Sequence, residues 1–311
     1  MKYCDLHCDT PLELYLRGES LCGSSLNVTV EGFAPFESYV QVAAYCVMPA
    51  MSNGDGYDAF FKVREYFLKD AEKCSCRVVS CASELTSSVN DGIPAFILAV
   101  EDARILDGDI SRLEVLAKAG VRILTPLWGG ESCIGGSHES SSGLTPFGRM
   151  VCKECAKLGI ITDISHASHR SAFEILDIAA KCGGSVMASH SCAASVHAHS
   201  RNLTDELAAA VAASGGVVGV NTYPPHLTGS TACLDDALRH IEHYVNTIGE
   251  DSVCLGCDFD GMGIFTEGCE NISRIPSLYE KISFKRNEHL ADKVFFSNGV
   301  RFLKDNLSGQ L

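Results

Sequence analysis

The chain has 311 residues, 46% of them hydrophobic and 21% charged, with a formal net charge of −14. That length suits one (β/α)8 barrel, and an acidic balance without a Lys/Arg cluster argues against nucleic acid or an anionic membrane as partner. No apolar run approaches a membrane span, and sixteen scattered cysteines in a chain without a signal-peptide pattern suit free thiols in a reducing, cytoplasmic setting.

In chain order, eight short apolar runs predict strands: Lys2–His7, Val40–Val47, Ala95–Val100, Val121–Pro126, Ile160–Ser165, Val186–Ser189, Val217–Thr222 and Val253–Cys257. Stretches with apolar residues at helical spacing predict helices over Asp58–Cys74, Ile110–Ala119, Phe147–Leu158, Ser168–Lys181, Thr204–Ser214 and Asp235–Ile248. Glu13–Ser38 reads as irregular. Gly129–Gly143, rich in Gly and Ser, reads as a loop long enough to act as a mobile lid. Pro276–Leu307 reads as helices packed on the barrel. Eight near-continuous apolar strands with helical crossovers predict an α/β fold, a TIM barrel forming one domain over residues 1–311. No Gly-x-Gly-x-x-Gly follows a strand, which counts against a doubly wound sheet.

Barrel chemistry sits at the C-terminal ends of strands. The first strand ends in His7-Cys8-Asp9, with His7 and Asp9 on one face by strand alternation. The third ends in Glu101, the fifth in Asp163-Ile-Ser-His166, the sixth in His190, and the eighth in Asp258-Phe-Asp260-Gly261. Five strand ends carrying metal-ligand residue types are hard to explain as packing, because burying unpaired charge is costly. Three histidines and two carboxylates exceed the needs of one four-coordinate zinc. A paired metal site is the economical arrangement: His7 and Asp9 on one ion, His166 and His190 on the other, Glu101 bridging. Two such ions lower the pKa of a shared water and polarise a carbonyl. Asp258 is left as general base or proton shuttle, although alternation does not choose it over Asp260. Asp5 is either a hydrogen-bond acceptor supporting a ligand or half of a buried pair with a Lys or Arg. The close cysteine pairs Cys74/Cys76, Cys152/Cys155 and Cys254/Cys257 read as small buried residues rather than a structural metal site.

These motifs, taken together in order, resemble the membrane (renal) dipeptidase family of zinc peptidases within the metal-dependent amidohydrolases. The resemblance rests on Asp5-Leu-His7-Cys-Asp9-Thr-Pro11, Val100-Glu101, Gly159-Ile-Ile-Thr-Asp-Ile-Ser-His166, Ser189-His190-Ser191, Arg201-Asn-Leu-Thr-Asp205 and Gly256-Cys-Asp258-Phe-Asp260-Gly261. It implies a (β/α)8 barrel, a binuclear zinc centre with a bridging hydroxide, and hydrolysis of the single peptide bond of a dipeptide. It further implies His7, Asp9, Glu101, His166 and His190 as ligands, Asp258 as the proton-transfer residue, Arg201 as the holder of the substrate carboxylate, and a homodimer. One departure stands out: Pro126 occupies the place where renal-type members carry a histidine that touches the substrate carbonyl. Trp128 and His138 in the following loop are the candidates to fill that gap, against the plainer readings of a pocket wall and a solvated loop residue. Two rival functions follow: an amidohydrolase acting on another small amide such as an N-acyl amino acid, or a catalytically weak metal- or peptide-binding barrel.

Overall fold

The computed structural model describes residues 1–47 and 55–307. All eight predicted strands form, all parallel. They are β1 (Lys2–Cys8), β2 (Ser38–Cys46), β4 (Ala95–Glu101), β5 (Val121–Thr125), β6 (Ile161–Asp163), β7 (Val186–Met187), β8 (Val218–Val220) and β9 (Val253–Leu255). Neighbours run β7-β6-β5-β4-β2-β1-β9-β8. The ring closes between β7 and β8, where Ala188 pairs with Val218 and the Gly219 amide donates to the Ala188 carbonyl at 2.8 Å. A two-residue strand absent from the prediction, β3 (Arg77–Val78), pairs with the start of β4. It is too short to show an alternation.

Helices fill the crossovers: α2 (Asp55–Lys73), α4 (Ser111–Lys118), α5 (Pro146–Leu158), α6 (His169–Cys182), α7 (Asp205–Ala213) and α9 (Leu234–Ile248) match the predicted segments. Two others, α1 (Thr10–Arg17) and α3 (Ala82–Asp91), lie where no helix is predicted. Pro11 explains the first. It ends the strand and sits in the first turn of α1, where a missing N–H costs nothing. The polar sequence of α3 buries only Leu85 and Ser88, so its apolar stripe is faint. A short α8 (Pro224–Leu227) precedes α9, and the tail forms α10 (Pro276–Lys285), α11 (Glu288–Asp292) and α12 (Asn298–Asn306).

One apolar cluster draws Cys4, Leu6, Val42, Ile97, Ile123, Ile161, Met187 and Cys254 from successive strands together with Val300, Phe302 and Leu303 of α12. Residues from all round a closed sheet meet only in its interior, so α12 plugs the N-terminal mouth of the barrel. Gly299 lets it approach: a Cβ there would lie 2.8 Å from Cys4 Sγ. The opposite mouth is left for polar side chains. Among the described residues no helix is long and apolar enough to cross a membrane.

Candidate active site

That open rim collects side chains from five strand ends. His7 Nε2 lies 3.7 Å from Asp9 Oδ1, 3.6 Å from Glu101 Oε2 and 3.8 Å from Asp258 Oδ1. On the far side of Glu101, its Oε1 is 2.9 Å from His166 Nε2 and 3.5 Å from His190 Nε2. The two carboxylate oxygens therefore face two different groups, one around His7 and one around the histidine pair.

Hydrogen bonds decide which ring nitrogens keep a lone pair. His166 Nδ1 donates to the Trp128 carbonyl at 3.0 Å, so its Nε2 is bare. Ser189 gives its hydroxyl proton to Asp163 Oδ2 at 2.6 Å, and its oxygen accepts from His190 Nδ1 at 2.7 Å. His190 Nε2 is therefore bare as well, yet it stands 2.9 Å from His166 Nε2. Two lone pairs and a carboxylate oxygen aimed at one point repel unless positive charge lies between them. Around His7 the signature differs: His7 Nε2 and Asp9 Oδ1 are buried with no hydrogen-bond partner, as is Glu101 Oε1 on the histidine-pair side. Bonds of about 2.1 Å around a tetrahedral ion put ligand atoms roughly 3.4 Å apart, close to the spacings found here. Ligand atoms of His7/Asp9/Glu101, of Glu101/His166/His190 and of His7/His190/Asp258 each lie within 4.8 Å of one another. The donor set fits divalent metal.

Charge says the same. Burial alone would push His7 down, but Glu101, Asp9 and Asp258 outweigh it and carry the imidazole up to about 10. Burial and the neighbouring Glu101 raise Asp9 well above the usual carboxylate range. Asp258 is pushed up to about 6, chiefly by burial, against the pull of His7. Three carboxylates crowd one buried imidazole, an excess of negative charge that a cation would neutralise.

Two further buried carboxylates hold the strand ends in place. Asp5 accepts from Tyr3 Oη (2.6 Å), the His7 amide (2.9 Å), Gln41 Nε2 (3.2 Å) and the Cys257 amide (3.0 Å). No Lys or Arg is among its partners, and the β1–β2 register shifts between Asp5 and Cys8, the stretch that carries His7. Asp163 accepts from Thr125 Oγ1 (2.7 Å), the Ser165 amide (2.9 Å) and both the amide and hydroxyl of Ser189 (2.9 and 2.6 Å). Each carboxylate ties together two strand ends, Asp5 those before His7 and Asp258, Asp163 those before His166 and His190.

The backbone is also bent to its task. His166, Asp258 and Asp260 have φ of 71°, 65° and 66°, a left-handed conformation that costs a non-glycine residue about 1 kcal/mol. Gly261 has no alternative, since a Cβ would lie 2.3 Å from Asp9 Oδ2 and 2.7 Å from Asp258 Oδ1. Geometry separates the two aspartates that alternation left open. Asp258 faces His7 and accepts from Asn221 Nδ2 at 3.2 Å. Asp260 turns away to Thr10 Oγ1 and the Asn27 amide, both at 2.6 Å.

Arg201 is only 5% exposed, its Nε has no partner, and its Nη2 reaches only the His190 carbonyl, at 3.4 Å. No carboxylate pairs with it among the described residues. Trp128 stacks beside His166 with ring centroids 6.1 Å apart. The loop expected to be a lid is docked: His138 donates its amide to the His166 carbonyl at 2.7 Å, and Ser168 Oγ donates to the Ser142 carbonyl at 2.6 Å. His138 Nδ1 lies 2.9 Å from Ser200 Oγ. A cleft of about 720 Å³ opens here, lined by His138, His166, His199 and Arg201. Sequence reasoning missed Cys46, which faces Glu101 and is held protonated by burial and that carboxylate, and Asn221. Neither shows a pattern along the chain that marks it.

Comparisons with known proteins bear on this arrangement. The family model for membrane dipeptidase (peptidase family M19) matches residues 1–309. An uncharacterized dipeptidase of Schizosaccharomyces pombe is 32% identical over 222 residues, 68% of this chain but only 52% of that protein. An uncharacterized protein from the pqqA 5′ region of Klebsiella pneumoniae is 30% identical over 243 residues, covering 74% of this chain and 88% of that protein. Among solved structures, the metallopeptidase dipeptidase AC superposes with a TM-score of 0.90 at 24% identity over 99% of both chains. A metallopeptidase from Rhodobacter sphaeroides, liganded with a phosphinate mimic of the dipeptide L-Ala-D-Ala, gives 0.89 at 24% identity over 98% of this chain and 99% of that one. At that identity both speak to the fold.

Proposed function

The chain belongs to the membrane dipeptidase family of metallopeptidases, and from that premise we propose that it hydrolyses dipeptides with two zinc ions at the rim. The observation that carries this reading is the division of Glu101, one oxygen toward His7 and one toward His166 and His190. His7 and Asp9 would hold the first ion, His166 and His190 the second, with Glu101 between them. Bound zinc would supply an activated water and polarise the scissile carbonyl.

The remaining steps belong to the chain. Asp258, held by Asn221 and titrating near 6, takes the proton released on attack and returns it to the leaving amine. Arg201 receives the C-terminal carboxylate of the substrate on its unpaired guanidinium edge, which limits the peptide to two residues. Trp128 forms a wall beside His166. The dipeptide mimic in the Rhodobacter sphaeroides metallopeptidase supports this choice of substrate.

The test is metal analysis of the purified protein alongside hydrolysis of a dipeptide panel and of matched N-acyl amino acids, with and without chelator. The expected result is two zinc ions per chain, dipeptide hydrolysis abolished by chelator, and a loss of about a hundredfold or more in Asp258→Asn. Faster turnover of N-acyl amino acids moves the function to another amide. Wild-type rates no higher than those of Asp258→Asn leave a binding protein.

A further inference from the structure

The strongest feature outside the rim is a pocket of about 350 Å³ on the barrel flank, lined by Arg64 of α2, Ser80, Lys118 at the end of α4, and Arg122 of β5. Helices run antiparallel to the strands, so the C-terminus of α4 lies at the barrel end opposite the rim. No acidic residue lines this pocket, in a chain whose net charge is −14. Arg122 is 5% exposed, and among the described residues both arginines bond to backbone carbonyls rather than to a carboxylate.

Backbone carbonyls hold both guanidinium groups in place. Arg122 Nε donates to the Ser80 carbonyl at 2.6 Å, and its Nη1 donates to Ala117 and Val121 at 2.8 and 2.9 Å. Arg64 Nε donates to the Ala119 carbonyl at 2.5 Å. These bonds satisfy the carbonyl end of α4, which is the plainer purpose of the two arginines. They leave both terminal nitrogens of Arg64 and Nη2 of Arg122 without a partner among the described residues. A helix end carries about half a negative charge, too little to offset two fixed cations with Lys118 beside them. The acids nearby are engaged elsewhere: Glu84 accepts from the Ser80 amide and hydroxyl, and Glu114 holds Lys118 from the exposed side of α4.

We propose that this pocket binds a small phosphate-bearing molecule, with Arg64 and Arg122 clamping the phosphate oxygens and Lys118 closing over them. The free Nη1/Nη2 fork of Arg64, Nη2 of Arg122 and the Lys118 ammonium converge from three side chains, which matches a multiply charged tetrahedral oxoanion, whereas a single carboxylate would use only the Arg64 fork. This site is independent of the peptidase reading.

The experiment is isothermal titration of the full chain with inorganic phosphate, pyrophosphate, glucose 6-phosphate and acetate. It is repeated on Arg64→Gln, Lys118→Gln, Arg122→Lys and Arg201→Gln. Saturable phosphate or phosphate-ester binding is expected, weakened about tenfold or more in Arg64→Gln, less in Lys118→Gln, and unchanged in Arg201→Gln. Inorganic phosphate binding as well as the ester identifies the free anion as ligand, and tighter binding of the ester identifies an organic phosphate. A thermal midpoint raised by the ligand in wild type but not in Arg64→Gln gives a second readout if Arg122→Lys fails to fold. Absence of saturable binding overturns the proposal. So does binding that survives Arg64→Gln but disappears in Arg201→Gln, which would place the anion at the rim, and so does acetate binding as tightly as phosphate.

Discussion

The two sides of the rim solve one problem with different means. Around His7, three carboxylates from Asp9, Glu101 and Asp258 crowd a single imidazole without touching it, so this side would attract a cation by charge. Around His166 and His190, two neutral rings are aimed by hydrogen bonds at Nδ1, so the other side would attract a cation by orientation. The supports differ in the same way. Asp5 is bonded largely to backbone and aromatic groups, fixing where β1 and β9 end. Asp163 reaches His190 through a hydroxyl, so it also sets which ring nitrogen carries the proton. A charge-built side should tolerate small displacements of its ligands, whereas an orientation-built side depends on each bond behind the rings.

The largest break in this comparison comes from its common member. Glu101→Gln replaces one of the two oxygens with an amide that repels a cation. Loss of both ions and a fall in dipeptide turnover of at least about a thousandfold are expected, more than removal of one positioned donor costs elsewhere. Zinc content by atomic emission and kcat check it. Retention of one full equivalent of zinc would show that the sides do not share this residue. Next come the two supports. Asp163→Asn should weaken the His166/His190 ion by about ten- to a hundredfold and leave the other ion in place. Asp5→Asn should do the reverse. Competition with a chromophoric chelator reads both, and two variants that shed the same ion would sink the division.

Much of this was legible along the chain, for a specific reason. A barrel puts its chemistry at strand ends, so residues far apart in sequence announce themselves by position: His7, Glu101, His166, His190 and Asp258 each follow an apolar run. What lay hidden depends on side-chain direction rather than on position. Asp163 reads along the chain as one more strand-end acid, but its four hydrogen bonds set it behind His166 and His190. Alternation failed at Asp258 and Asp260 because both have left-handed backbones, where the period of two no longer holds. His240, which the sequence pattern does not single out, is wholly buried, with Nδ1 accepting from the Ala193 amide and Nε2 donating to the Leu227 carbonyl. Both its nitrogens are spent, which is what separates it from His166. The helix α1 escapes the sequence pattern because a proline ending a strand, as Pro11 does, also starts a helix.

The finest distinction rests on one hydroxyl. Ser189 is the relay between Asp163 and His190, and Ser189→Ala deletes it while leaving Asp163 bonded to Thr125 and to the two amides. The His190 Nδ1 proton then loses its acceptor in a buried site. Losing one such bond costs about 1 kcal/mol, so the ion on this side should weaken by roughly three- to tenfold. The ion at His7 should not change, and added zinc should restore kcat because the remaining geometry is intact. If Ser189→Ala instead weakens both ions equally, orientation is not what distinguishes the histidine side, and the contrast between the two halves of the rim reduces to charge.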